Sequence, residues 1–546
     1  GTAPDALGVA SDGRSERHRR DSMSRIITDA TGRRYLLEDP VALTQAPGNI
    51  QLATKSKPWN NYWRMLGTVI LAFILIWFGL SFVIAGLIYG VVELSALGAI
   101  CSLIPLPFLI VLHRPKLIHV RLATPEKSGK NHHPLPEGGS LKTPERTSFQ
   151  RFVITDDSVL DLPPLTQVWG AFIAILVFGV MLSIPLLLSL VSGDEDLLGV
   201  VYLLSFIPVL LLSIAAFSIP VFAWWATSSK IIGLPTKRRD AEAWMIAGMA
   251  SALPALIVNS FLFPLILPSG LSDSTEMALT AAISAPIGEE IFKLLAVCLF
   301  LSSIRNPKKG FQVGFTVGLG FALIENLAYI LGSAFGGAPS MTLTALMRGI
   351  GSIPAHGLWT GISGFGLGYY SKTTDADKRM KWLINRFSIK SVDFAENLGF
   401  DIDGDGDYSG FDDFRPTFEE ILAKDEEGTN WKLIDKKTGG AIDAPGVKTR
   451  EVGHSLVTSL DAAKLRADAG FSILPAKNVM ACLGIAIGGH AFWNGTLVSV
   501  EKLGDLIGLG WGGIFFLNMA WVSILIVVLL ILARGIFRGV RSLPAN

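Results

Sequence analysis

The chain has 546 residues, half of them hydrophobic and only 17% charged, with a formal net charge of +1 and a mean hydropathy of +0.47. Soluble globular domains carry about 25% charged residues, so this balance excludes an ordinary water-soluble enzyme and a basic nucleic-acid-binding protein. It points to a polytopic membrane protein. The three cysteines, Cys101, Cys298 and Cys482, lie far apart in separate apolar runs, which excludes a disulfide framework and a cysteine metal motif.

In chain order, residues 1–62 are rich in Arg, Asp, Ser, Thr and Gly without apolar periodicity and read as a disordered basic tail. Ten apolar stretches long enough to span a bilayer follow, near 65–88, 92–112, 168–192, 199–226, 243–268, 277–303, 311–335, 342–370, 477–500 and 513–537. They group into a transmembrane hairpin (63–113), a bundle (167–370) and a C-terminal pair (476–546). Between them, 114–166 reads as an irregular Pro- and Lys-rich loop, and 371–475 as a polar insertion. Trp63, Trp169, Trp224, Trp225 and Trp244 stand at segment ends, where amphipathic rings prefer the interface. Every second connection is basic, as in Arg114-Pro115-Lys116 and Lys237-Arg238-Arg239, while the alternate ones, such as Gly193-Asp194-Glu195-Asp196, are neutral or acidic. The positive-inside rule then places both termini and the insertion in the cytoplasm, with the plasma membrane as the expected location. The expected fold is an all-α polytopic membrane protein of about ten transmembrane helices with a cytoplasmic soluble insertion.

Inside the insertion, Asp401, Asp403, Asp405, Asp407, Ser409 and Asp412 occupy positions 1, 3, 5, 7, 9 and 12 of a loop with Gly406 at position 6. Oxygen ligands at that spacing are the EF-hand arrangement for Ca²⁺. Asp412 departs from the pattern, its side chain being shorter than the usual Glu, and Tyr408 stands where an aliphatic residue is usual.

The polar residues inside the spans carry the chemistry. The sixth holds Glu289, Glu290 and Lys293, and a charge at mid-bilayer costs about 2.5–3.5 kcal/mol on the insertion scale. Lys293 is i+4 from Glu289 and i+3 from Glu290, so the three share a helix side and partly neutralise one another. The seventh span holds Glu325-Asn326, the eighth His356 with Arg348 about two turns away, and the ninth His490 and Asn494. Consecutive spans thus place a Glu or His at one height, as a buried proton-handling or metal-handling site requires. Taken singly, each residue has a plainer use: the histidines as hydrogen-bonded packing groups, the asparagines as helix bridges, Arg348 as a partner for a lipid headgroup.

Glu289-Glu290-x-x-Lys293, Phe321-x-x-x-Glu325-Asn326, His356 and His490-x-x-x-Asn494 together resemble the motif set of the PrsW family of intramembrane proteases, relatives of the CAAX prenyl endopeptidases and Abi proteins. The resemblance covers 243–370 and 477–500. Glu325 stands where the wider superfamily has His, which argues against a prenyl-protein substrate. The resemblance implies an intramembrane endopeptidase that cuts a membrane-anchored protein within the lipid bilayer.

On that reading Glu289 or Glu290 activates water, since a desolvated carboxylate becomes a useful base near neutral pH. Helix geometry does not rank the two; the family parallel favours Glu289. Glu325 would orient the water, and His490, Asn494 and His356 would donate to the oxyanion. A Zn²⁺ site from His356, His490 and Glu325 is the metal-assisted variant. The rival reading is an ion- or proton-coupled transporter using the same midplane Glu, His and Lys cluster.

Overall fold

The computed structural model describes residues 25–28, 34–37, 50–53, 58–113, 117–134, 139–155, 160–193, 195–234, 236–399, 433–435, 448–451 and 471–544. The acidic run expected to hold Ca²⁺ (Asp401, Asp403, Asp405, Asp407, Ser409, Asp412) lies outside these residues. Two compact units result: a β unit drawn from 1–55, 115–157 and 388–453, and a helical unit from the remainder.

In the β unit, β1 (Arg25–Thr28), β2 (Arg34–Leu37), β4 (Leu117–Pro134), β5 (Gly139–Thr155) and β6 (Leu433–Asp435) form a sheet of order β1-β2-β5-β4-β6. A separate two-stranded ladder pairs β3 (Ile50–Ala53) with β7 (Lys448–Glu451). β4 and β5 make a long antiparallel hairpin from Leu117↔Thr155 to Pro134↔Ser140, where the sequence suggested an irregular loop. Ile118, Val120 and Leu122 alternate with His119 and Arg121, a period-two signal that the surrounding Pro and Lys obscure. The ladder shifts register between Pro125 and Lys130 and again before His132, as a strand carrying Pro and Gly must. Strands likewise form within the stretch expected to be a disordered tail.

The helical unit is all-α. Eight helices among the described residues are long and apolar enough to cross a membrane: α1 (Pro58–Tyr89), α2 (Val92–His113), α3 (Leu165–Ser192), α4 (Asp196–Ile232), α5 (Arg238–Ile266), α7 (Pro307–Ala334), α10 (Val479–Leu506) and α11 (Trp511–Arg541). The other two of the ten expected stretches are helical as well. Asp273–Leu279, Thr280–Ser284 and Ala285–Cys298 run on as α6, and Gly337–Met347, Arg348–Ser352 and Ile353–Thr374 as α8. Five charges in α6 (Asp273, Glu276, Glu289, Glu290 and Lys293) and the glycines of α8 lower the hydropathy that marks the other eight. A polar helix, α9 (Ala376–Asn397), follows α8.

The spans begin where the chain supplies caps. The Asn306 side chain accepts from Lys309 N at 2.8 Å, with Pro307 in the first turn of α7, and Asn478 accepts from Ala481 N at 3.0 Å to start α10. α7 is the hub. In its most apolar stretch 83% of residues are buried by protein, against 11–28% in the other candidate spans, so its neighbours rather than lipid surround it.

Glycine sets that packing. Gly310, Gly314 and Gly318 recur every fourth residue along α7, and a Cβ at each would run into the carbonyl of Gly364, Thr360 or His356 on α8. Gly248 and Gly320 bring α5 and α7 together the same way, facing Val317 O and Met245 O. Small residues at one turn's spacing let backbones touch, the usual means of association where lipid is as apolar as the side chains. Gly357 and Gly361 instead seat the rings of Phe315 and Phe311, while Gly488 meets nothing within 4 Å. Gly314→Val is expected to separate α7 from α8 at a cost of about 1–3 kcal/mol or more. Thermal unfolding of purified protein in detergent would read this, and an unchanged melting temperature would refute the close packing.

Two tryptophans expected at the interface are core residues: Trp225 and Trp244 are each 1% exposed, whereas Trp63 is 63% exposed. Segment ends predict the interface only when no other helix crosses there.

Candidate active site

α6 brings its charges to the bundle through a π turn at Thr280–Ser284 followed by Pro286. A second π turn, Val258–Leu262 of α5, lies against it, and Ser284 Oγ donates to Asn259 Oδ1 at 2.8 Å. The carbonyl of Ala281, within the first of these turns, accepts from Asn494 Nδ2 of α10 at 3.0 Å. Single-turn widenings of this kind concentrate at functional sites because they free backbone groups and re-aim the following side chains.

Beyond the turn, Glu289, Glu290 and Lys293 face inward. The Lys293 ammonium is fully buried and donates to Glu289 Oε2 at 3.1 Å and Glu290 Oε1 at 2.9 Å. It also lies 2.9 Å from His356 Nδ1 and 3.9 Å from the centre of the Phe321 ring. His490 Nδ1 meets Glu290 Oε1 at 3.1 Å, and its Nε2 stands 4.0 Å from Glu289 Oε2. The two imidazoles are edge to face, 5.3 Å apart. Glu325 Oε2 lies 2.7 Å from His356 Nε2 and 2.8 Å from Arg348 Nη2. Arg348 in turn donates Nε–H to Asn326 Oδ1 and stacks over Tyr329 at 4.1 Å, and Asn326 Nδ2 donates to Phe217 O at 3.1 Å.

One chain of contacts therefore runs from Asn326 through Arg348, Glu325, His356, Lys293 and the paired glutamates to His490. Glu289, Glu290, Lys293, Glu325, Asn326, His356 and His490 all belong to it, and Asn494 stands beside it. Arg348 and Tyr329 are the additions: Arg348 looked able to serve a lipid headgroup, and Tyr329 carried no sequence signal beyond lying one turn after Glu325.

A cavity of about 480 Å³ reaches this network, lined among others by Glu289, Glu325, Tyr329, Asn259, Thr280 and Asn494, with Asp273 and Glu276 also on its wall. Glu290, Lys293, His356, His490 and Asn326 lie behind that wall. Asn326, with both amide atoms engaged, holds Arg348 rather than facing the cavity. A second cavity of about 420 Å³, lined by Leu160, Thr166, Lys230 and Gln312, contains none of these acids or imidazoles.

Among the described residues, Glu289, His356 and His490 bring ligand atoms within 4.8 Å of one another. Glu325 is instead engaged at the outer nitrogen of His356, which separates it from the ligand set expected from the sequence. Two imidazoles and a carboxylate are a catalytic zinc donor set. Each imidazole turns its other nitrogen to a carboxylate, His490 to Glu290 and His356 to Glu325, the outer-shell pairing that fixes the tautomer of a ligating histidine. The donor chemistry fits a metal, with Lys293 as a competing cation in the same space.

Residues 241–389 match the family model described as PrsW family intramembrane metalloprotease. The chain carries a PrsW-type peptidase domain. The match takes in α5 to α8 with Glu289, Glu290, Lys293, Glu325, Asn326 and His356, and stops short of His490 and Asn494, which the fold delivers to the same place. No curated protein and no solved structure matches the chain. The match supports a membrane peptidase that acts on a protein substrate.

Proposed function

We propose that the cavity beside Glu289 is where a membrane-anchored protein is hydrolysed, with Glu289 as the base that activates water. The observation that carries this reading is the different surroundings of two adjacent glutamates. Glu290 is 0% exposed and engaged by Lys293 and His490, whereas Glu289 is 8% exposed and borders the cavity. A base must reach the proton it removes.

Glu289 takes a proton from water in the cavity, and the oxygen adds to the scissile carbonyl. The negative charge that develops on the carbonyl oxygen is met by the Asn494 amide, whose second N–H is free of Ala281. Glu289 then returns the proton to the leaving nitrogen as the C–N bond breaks. Lys293 holds the Glu289 carboxylate in place and balances its charge in the low-dielectric interior. Arg348 and Glu325 hold His356. Glu289, His356 and His490 would hold a metal ion, which when bound polarises a carbonyl and makes water more acidic.

On the positive-inside reading of the basic connections both termini are cytoplasmic, and the cavity wall carrying Asp273 and Glu276 belongs to the opposite side of the membrane. The test is cleavage of membrane-anchored reporter proteins by the full chain in proteoliposomes, with products mapped by mass spectrometry. Intact reporters together with ion flux across the same vesicles would move the assignment to a transporter. For the metal, Zn²⁺ added to chelator-treated protein is expected to raise the melting temperature of the native chain, because an ion bound only by the folded state stabilises it. The same addition should leave a His356→Ala, His490→Ala variant unchanged; equal shifts would place the ion elsewhere.

A further inference from the structure

α9 fits neither of the environments occupied by the rest of the helical unit. Only Asp375, at φ 51°, separates it from the end of the membrane helix α8 at Thr374. Its first half carries Met380, Leu383, Ile384 and Phe387 at i, i+3, i+4 and i+7, the spacing of one helix face. Leu383, Ile384 and Phe387 are 53%, 43% and 74% exposed; Trp382, 58% exposed, lies on the opposite side, one turn from Lys378 and from Arg386. Lys378, Arg379 and Arg386 are exposed around the rest of the helix, and Lys372 is exposed in the last turn of α8. The Arg386 guanidinium lies 5.3 Å from the Trp382 ring centre.

Such a helix is too charged to cross a bilayer and too apolar on one side to stand in water. A helix with an apolar edge, low overall hydrophobicity and a basic polar face rests in the plane of the membrane interface. The left-handed residue at Asp375 supplies the change of direction that leaving a spanning helix for the surface requires, and a one-residue link keeps the first turns of α9 at the depth where α8 ends. We propose that the first half of α9 is an interfacial helix that docks on the anionic lipid surface. Leu383, Ile384 and Phe387 enter the headgroup–acyl boundary, and Arg379 and Arg386, with Lys378 beside its partner Asp375, meet the lipid phosphates. The sign of the charge selects the occupant: a basic face one residue from a membrane span meets anionic headgroups first.

The test is amide hydrogen exchange on the full chain in nanodiscs of phosphatidylcholine, with and without phosphatidylglycerol, and in detergent micelles. Adding the anionic lipid is expected to slow exchange in residues 376–387 about tenfold or more. K378Q/R379Q/R386Q should return the rate to that in phosphatidylcholine, with the spans unchanged, and free inorganic phosphate should have no effect. Equal protection in micelles and in both bilayers would show that protein covers the face and would overturn the proposal. So would exchange indifferent to anionic lipid.

Discussion

Glu289→Gln is expected to lower the rate of substrate cleavage by about 10²–10⁴-fold, the range a positioned general base supplies. Glutamine keeps the shape of the side chain and an oxygen for Lys293, whose ammonium stays paired with Glu290 at 2.9 Å, so the melting temperature should move little. Glu290→Gln differs in kind. Glu290 has no access to the cavity and holds Lys293 and His490 together, so its loss should lower stability as well as rate. The comparison is made by single-turnover cleavage in proteoliposomes with unfolding followed on the same samples. Full activity in Glu289→Gln would remove the base from this position, whatever happens at Glu290.

Lys293→Met is expected to cost about 3–5 kcal/mol, because removing one partner of a buried ion group leaves uncompensated charge behind. The ammonium is 0% exposed and is the cation between two carboxylates and an imidazole. Methionine fills much of the stem volume and lies against Phe321 without strain, so the loss would be electrostatic rather than steric. Adding Glu290→Gln to Lys293→Met should then recover part of the stability by removing one of the stranded charges. Should the double variant be less stable than Lys293→Met, charge balance would not be what Lys293 provides. Both variants are read by thermal or denaturant unfolding in detergent.

Much of the fold was legible because a membrane helix is a local property. Each of the ten apolar stretches lies in a helix, since backbone groups in lipid must bond within their own segment. What composition could not rank was which helices lipid surrounds. At a mean hydropathy of 1.5, α7 is less apolar than most spans, but α10 is lower still at 1.2 and is mostly unburied; what buries α7 is the glycines at 310, 314, 318 and 320, which bring α8 and α5 onto it. Trp225 and Trp244 went into the core for the same reason. The β4–β5 hairpin was hidden by a composition reading that weighed Pro and Lys above the alternation at 118–122.

The site divides along the same line. The chain alone determined that acids and imidazoles lie at one depth on successive spans, because helical rise converts residue number into height. It also determined that Lys293 pairs with both glutamates, because i+3 and i+4 share a helix face. Only the tertiary structure decided that Glu289 borders the cavity while Glu290 does not, and that Glu325 is engaged by Arg348 and His356 rather than grouped with the ligand atoms. Those choices depend on how far α6 and α8 are rotated about their own axes. Rotation is set by the π turns and by which glycines let backbones touch, contacts between residues far apart in the chain that no local pattern encodes.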